Sequence, residues 1–281
     1  MYHQMMSNSR PHVVAKRVPH RHVEPRRITF EFEGTPRHWF GGNRVASVAV
    51  DALNLLFPAG ERFFVRAVRH HAALVDDPEL RAQIRGFMGQ EVRHGLEHER
   101  FFTTLERQGF EIQRFLRFFE RVGFAFVEPR TSPALRLSVT VALEHFTAHL
   151  AELALREGLV EAMHPSVRAL ITWHAIEEIE HKSVAFDVLR AVDDRFALRV
   201  AGMAVACALL GGFFSVAFVD LLLQDLAMGR TAETSGRLPF DLRRVGLVRA
   251  VRRYLTPGFH PDQRDHEALL AQHREALRPA A

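Results

Sequence analysis

Trp173-His-Ala-Ile-Glu-Glu-Ile-Glu-His-Lys-Ser-Val-Ala-Phe-Asp-Val188 contains no Gly or Pro and reads as helix throughout. One stripe of that helix runs Val167, Ile171, His174, Glu178, His181, Ala185, Val188, stepping alternately by four and three. That step keeps side chains on one helical face. The face is apolar at both ends and His-Glu-His in the middle. A buried carboxylate between two imidazoles is costly unless something positive pairs with it, and a divalent metal ion would do so. The rest of the chain must then supply matching ligands.

Three further stripes do. Asp76-Asp77-Pro78 marks a helix start, with Pro in the first turn. The helix that follows reaches about Gln108 and stops at Gly109. Its stripe is Leu80, Ile84, Phe87, Glu91, His94, His98, Phe101, Leu105, again an apolar row with Glu and His at its centre. Ser132-Pro133 opens another helix that ends at Gly158, with Leu137, Val141, Glu144, Ala148, Ala151 and Leu155 along one face. An earlier helix runs from Gly41-Gly42-Asn43 to about Leu74; Pro58-Ala59-Gly60 predicts a break just before Glu61. The order is two helices, a long Phe-rich connection (residues 110–131), then two helices beginning at Ser132-Pro133 and His164-Pro165. The predicted fold is therefore all-α: a ferritin-like four-helix bundle with a long crossover between its second and third helices, plus extra C-terminal helices.

The four stripes together offer Glu61; Glu91 and His94; Glu144; and His174, Glu178 and His181. Glu and His three residues apart project side by side, so each Glu-x-x-His can hold one metal ion. The lone carboxylates complete the pair of sites and can bridge the two ions. Four carboxylates offset most of the charge of two divalent ions, which lets such a cluster sit in an apolar bundle. Oxygen plus imidazole donors suit Fe, with Mn or Zn as alternatives. A single Glu-x-x-His is more often a salt-bridged pair than a ligand set; two of them centred on apolar stripes reverse that balance. The stripe selects Glu178 over Glu177 and Glu180. His174, one turn earlier, is a third imidazole for one ion. His98 is expected to support or line the site, whereas His145 and His149 make ordinary polar contacts. Metal-bound histidines hand their other N–H to an acceptor, so Glu177 is expected to orient His94 and Gln90 to orient His181.

Here the chain resembles the bacterial family of predicted metal-dependent hydrolases. The resembling stretches are Phe57-Pro-Ala-Gly-Glu-Arg-Phe-Phe64, Gln90-Glu-Val-Arg-His94, Ala142-Leu-Glu-His-Phe-Thr-Ala148, Trp173 to Val188 and Tyr254-Leu-Thr-Pro-Gly-Phe-His-Pro261, spanning roughly residues 28 to 265. The His174-x-x-x-Glu178-x-x-His181 spacing is also similar to diiron N-oxygenases of the p-aminobenzoate type, whose site uses three His and four carboxylates. That second likeness covers the ligand spacing alone.

Outside the bundle, residues 1–27 are rich in His, Arg and Pro without periodicity and read as a disordered arm. Ile28 to Glu33 alternates like a short strand or an extended arm. Residues 28–195 form the metal-binding bundle, and residues 196–281 an apolar helix followed by basic amphipathic helices. Val200 to Val219 carries no charge and is long enough to span a bilayer. Phe240 to Leu255 carries Arg243, Arg244, Arg249, Arg252 and Arg253. Basic residues on both flanks of the apolar stretch argue against spanning; a buried fifth helix, or one lying at a membrane surface, fits as well.

Composition excludes several classes. A formal charge of only +4, without a nucleic-acid-binding motif, argues against nucleic acid as partner. The single Cys207 rules out an intramolecular disulfide framework and a cysteine zinc site. The polar N-terminus lacks a secretory pattern, so a cytoplasmic location is expected, with membrane association through 200–219 and 240–255. The ligand set points to an O₂-activating dinuclear enzyme that oxidises or oxygenates a small apolar or lipid-like substrate, with an electron-donor protein as partner. The family resemblance implies instead a hydrolase with a metal-activated water. Metal storage is the non-enzymatic alternative, and a homodimer is compatible with all three.

Overall fold

The computed structural model describes residues 23–231 and 245–275, together with 234, 236, 238, 239 and 241 between them. The described residues hold helices and no strand, and an antiparallel bridge joins Phe40 to Met163. The helices are α1 (Arg44–Asn54), α2 (Phe57–His71), α3 (Pro78–Arg107), α4 (Gln113–Phe119), α5 (Pro133–Arg156), α6 (Pro165–His181), α7 (Val184–Val192), α8 (Phe196–Met228), α9 (Leu247–Tyr254) and α10 (Glu267–Arg274). Helix α2 packs on α3, and α5 on α6 and α7, while α2–α5 and α3–α6 contacts join the two pairs. The architecture is an all-α bundle.

The start signals work through local hydrogen bonds. Asp77 accepts from the Glu79 amide at the head of α3. Ser132 accepts from the Leu135 amide at the head of α5. Side-chain caps of this kind satisfy amides the helix leaves open.

Two boundaries differ from the sequence reading. The break expected just before Glu61 falls earlier, at Leu55–Leu56. Pro58 occupies the first turn of α2, where a missing N–H costs no hydrogen bond, so Glu61 lies inside a continuous helix. Trp173–Val188 is not one helix either: α6 ends at His181 and α7 begins at Val184. No residue there is a breaker; tertiary contacts impose the turn. The Lys182 ammonium donates to the Arg264 carbonyl at 2.7 Å and lies 2.8 Å from His266 Nδ1, tying the turn to the C-terminal segment.

Residues 28–32 form no regular element and Glu33 begins a turn; the Phe30 amide donates to Glu97 Oε2 at 3.1 Å. Within the stretch read as a loose arm, Val23 is buried and Arg26 reaches α6; residues 1–22 lie outside the described residues. The crossover holds α4 and then a π-helical stretch, Glu120–Val127. Of the basic C-terminal segment, Arg249, Arg252 and Arg253 fall on or beside α9, while Phe240, Arg243 and Arg244 lie outside the described residues.

Helix α8 lies against α5 and α1. Gly202 is needed there, because a Cβ would stand 2.1 Å from Ser138 Oγ. Near its C-terminal end the buried Asp225 meets Arg37 Nε and His38 Nε2, both at 2.9 Å. Among the described residues, one helix, α8, is long and apolar enough to cross a membrane by length and composition.

The core divides into two apolar clusters. One gathers Trp39, Phe101, Leu105, Trp173 and Ile176; the other gathers Phe64, Val68, Phe87, Val141 and Val188. The Glu and His residues of α2, α3, α5 and α6 lie in sequence between the members of these clusters. A polar layer is thus enclosed by apolar packing above and below.

Candidate metal centre

All seven expected ligand residues are buried: Glu61, Glu91, His94, Glu144, His174, Glu178 and His181. They gather into two groups whose ligand atoms lie within 4.8 Å of one another: Glu61, His94 and His174, and Glu91, Glu178 and His181. Glu144 joins the second group, with Oε2 3.4 Å from His181 Nε2. Glu178 stands between the groups, 2.8 Å from His174 Nε2 and 3.5 Å from both His94 Nδ1 and His181 Nε2.

Each imidazole turns one nitrogen inward and gives the other to a fixed partner. His94 Nε2 lies 3.2 Å from Glu177 Oε2, leaving Nδ1 toward the site. His181 Nδ1 lies 2.9 Å from Gln90 Oε1, leaving Nε2 toward the site. His174 Nδ1 lies 2.5 Å from His98 Nε2, and His98 Nδ1 bonds in turn to Asn54 Oδ1. Partners of this sort fix the tautomer of a metal-ligating histidine. His145 and His149 face away, each bonded to a backbone carbonyl of Ala250 and Val245 respectively.

The inward atoms fit a metal better than they fit one another. Among the described residues, both carboxylate oxygens of Glu61, Glu91 and Glu144 lack a hydrogen-bond partner, as do His94 Nδ1, His181 Nε2 and Glu178 Oε2. Buried polar atoms are rarely left so. A cluster of hard oxygens with three imidazole nitrogens is a donor set for Fe, Mn or Zn. The electrostatics agree. Burial raises Glu61 well above the usual carboxylate range, and the charges of Glu91, Glu178 and Glu144 add to it. Burial and neighbouring Glu144 raise Glu91 in the same way. Burial lifts Glu144 to about 7, although the neighbouring His181 imidazole pulls it the other way. Burial and the neighbouring His174 push His94 and His98 well down. For Glu178, burial is outweighed by the nearby His181 imidazole and the bond from His174, so it lies low.

Several supporting residues carry no signal in the sequence. Arg26 bonds Glu177 Oε1 through its amide and Nη1, both at 3.1 Å, and Glu180 at 2.7 Å. Arg274 also reaches Glu180. The carboxylates passed over as ligands, Glu177 and Glu180, are thus neutralised from the side away from the cluster. Asn54 and Phe57 hold the His98–His174 pair, the Phe57 ring lying 4.8 Å and 4.9 Å from theirs. Gly95 lets α3 approach Glu61, since a Cβ there would sit 3.1 Å from Glu61 Oε2.

A cavity of about 120 Å³ adjoins the cluster. Its walls are mainly apolar, including Leu56, Phe64, Phe124, Leu143, Leu209 and Phe213, and Glu61 and Glu178 also line it.

A family model described as predicted metal-dependent hydrolase matches residues 24–265. The chain belongs to that family. The match begins at Glu24, inside the stretch that carries Arg26, and runs past the Lys182-bound segment at Arg264. Neither the curated proteins nor the solved structures yield a match.

Proposed function

We propose that the chain is a metal-dependent enzyme that binds two divalent ions between α2, α3, α5 and α6 and hydrolyses an apolar substrate held in the adjoining cavity. The observation that carries this reading is the cavity itself, into which one carboxylate from each group, Glu61 and Glu178, faces. Two divalent ions held by the cluster would lower the pKa of a coordinated water and polarise a substrate oxygen. The chain's own part is geometric. Glu61, His94 and His174 would hold one ion; Glu91, Glu144 and His181 the other; Glu178 lies within reach of both groups. Glu177, Gln90 and His98 fix the imidazoles, and the Phe and Leu walls bind the apolar part of the substrate and exclude bulk water. The family's description supports hydrolysis.

A second reading rests on a different observation. Two Glu-x-x-His pairs with two lone carboxylates are the ligand pattern of dinuclear iron and manganese bundles, which supports O₂-dependent oxidation of the same apolar substrate, with an electron-donor protein as partner.

Stripped protein reloaded with Zn²⁺, or anaerobically with Fe²⁺, separates the two. Hydrolysis of p-nitrophenyl acyl esters by the Zn²⁺ form, abolished by Glu178→Ala, supports hydrolysis. Stoichiometric O₂ uptake by the Fe²⁺ form, with no ester cleavage by either, transfers the assignment to oxidation.

A further inference from the structure

Helix α8 is 33 residues long and strongly apolar, yet most of its apolar stretch is not buried. Val200, Val216, Val219, Leu223 and Leu226 are exposed along it. A core helix of a soluble bundle would have those residues covered, and contiguous apolar surface of this length marks an interaction face. The helix does not stand clear of the bundle as a spanning helix would. Gly202 is pressed on Ser138, Phe213 lies 4.6 Å from Phe119, and Asp225 is buried among Arg37, His38 and Arg44. Contacts at its start, middle and end fix it lengthwise on the bundle.

The neighbouring crossover supplies charge. On α4 and the turn after it, Arg114, Arg117, Phe118 and Arg121 are all exposed; their spacing of three, one and three puts them on one helical face. The opposite face buries Phe115 and Phe119. Phe118 lies 6.0 Å from Phe213 of α8, so the basic stripe and the apolar helix adjoin. Arg114, Arg117 and Arg121 form no ion pair with a described residue. Further along, Phe126 is exposed beneath the Arg130 guanidinium. Exposed aromatics interleaved with arginines beside an apolar helix are the composition of a surface that lies in a membrane interface.

We propose that the outer face of α8 and the arginine stripe of α4 seat the protein in the plane of an anionic lipid bilayer, without crossing it. The inner faces of the same two segments, through Phe119, Leu209 and Phe213, wall the cavity together with Phe124 of the π-helical stretch. Docking therefore sets the cavity beside the acyl chains, a route for an apolar substrate that rests on the function proposed above; the docking itself does not.

The test is flotation of the full-length protein with phosphatidylcholine vesicles, with and without phosphatidylglycerol, at low salt. The wild type is expected to float with the anionic vesicles and to be released by salt. Arg117→Glu with Arg121→Glu should weaken that binding by more than the about fivefold expected per neutralised arginine. Val216→Glu with Val219→Glu should abolish it. These side chains are exposed, and metal content with the melting temperature reports fold and centre independently of docking. Wild type that stays unbound at low salt overturns the proposal, as does a Val216→Glu, Val219→Glu variant that floats like wild type. A third overturning result is a dimer that this variant splits while vesicles bind neither form. Metal loss in the wild type would instead indict the proposed centre.

Discussion

Glu177→Gln changes no volume but removes the charge that two partners share. Glu177 Oε1 accepts from the Arg26 amide and Nη1 at 3.1 Å each, and Oε2 lies 3.2 Å from His94 Nε2. A glutamine has one acceptor end and one donor end. With its oxygen toward Arg26, the NH₂ faces His94 Nε2 and drives the proton to Nδ1, the nitrogen that points into the cluster. With its oxygen toward His94, the NH₂ opposes two donors of Arg26. Either arrangement leaves a buried group mispaired, at about 1–3 kcal/mol, and loss of such a partner weakens a metal site by roughly 10–100-fold. Only the Glu61–His94–His174 group depends on this contact. His181 is held by Gln90 and should keep its ion. Titration with a competing chelator, read by elemental analysis, should therefore show one tight and one weakened ion per chain with a folded protein. Wild-type affinity at both positions would refute the assigned role of Glu177.

Arg26→Met leaves Glu177, which is fully buried, without its cation. Removing one partner of a buried pair costs about 3–5 kcal/mol; because Arg26 is 29% exposed, a loss of about 2 kcal/mol is expected in urea melts. A loss below about 0.5 kcal/mol would mean the arm is not held as described. Leu143→Trp fills part of the apolar cavity and should raise KM or abolish turnover while both ions remain bound; unchanged kinetics would place the substrate elsewhere. The metal-free and metal-loaded forms should also respond differently to pH. Glu144 is raised to about 7 from an ordinary 4.5. A raised folded-state pKa contributes stability that is complete below pH 4.5 and lost as pH rises through about 7, on the order of 3 kcal/mol. Glu61 and Glu91 shift in the same direction. Metal binding needs these carboxylates ionised and so strengthens with pH. His94 and His98, pushed down, add stability as pH rises toward 6.5 and offset part of this loss, so the test is the difference: the melting temperature gained on metal loading should widen between pH 5 and 8, and a constant or shrinking gain would contradict this.

The helices and the polar layer were legible because both depend on local periodicity. The four-three stripes of α3, α5 and α6 placed Glu91, Glu144 and Glu178 inward, and the structure brings them together with Glu61. What stayed hidden depends on contacts distant in sequence. Nothing local distinguishes Arg26 from the other arginines of the N-terminal stretch; its value comes from Glu177 and Glu180, more than 150 residues away. Asn54 likewise acts only because α1 ends beside His98. The turn at Lys182–Ser183 is written in no breaker, since the Arg264 carbonyl and His266 impose it. The break falls before Pro58 rather than after it because Pro, which ends a helix from its interior, here stands in the first turn of one.

The central claim is that two divalent ions occupy the buried cluster. Elemental analysis of protein purified without added metal, in wild type and in Glu91→Ala and Glu61→Ala variants, tests it most directly. The account predicts two ions per chain in the wild type and loss of one or both in each variant, with the helical circular dichroism retained. A wild type with less than one ion per chain after incubation with Fe²⁺, Mn²⁺ or Zn²⁺, or variants that keep both, would contradict it.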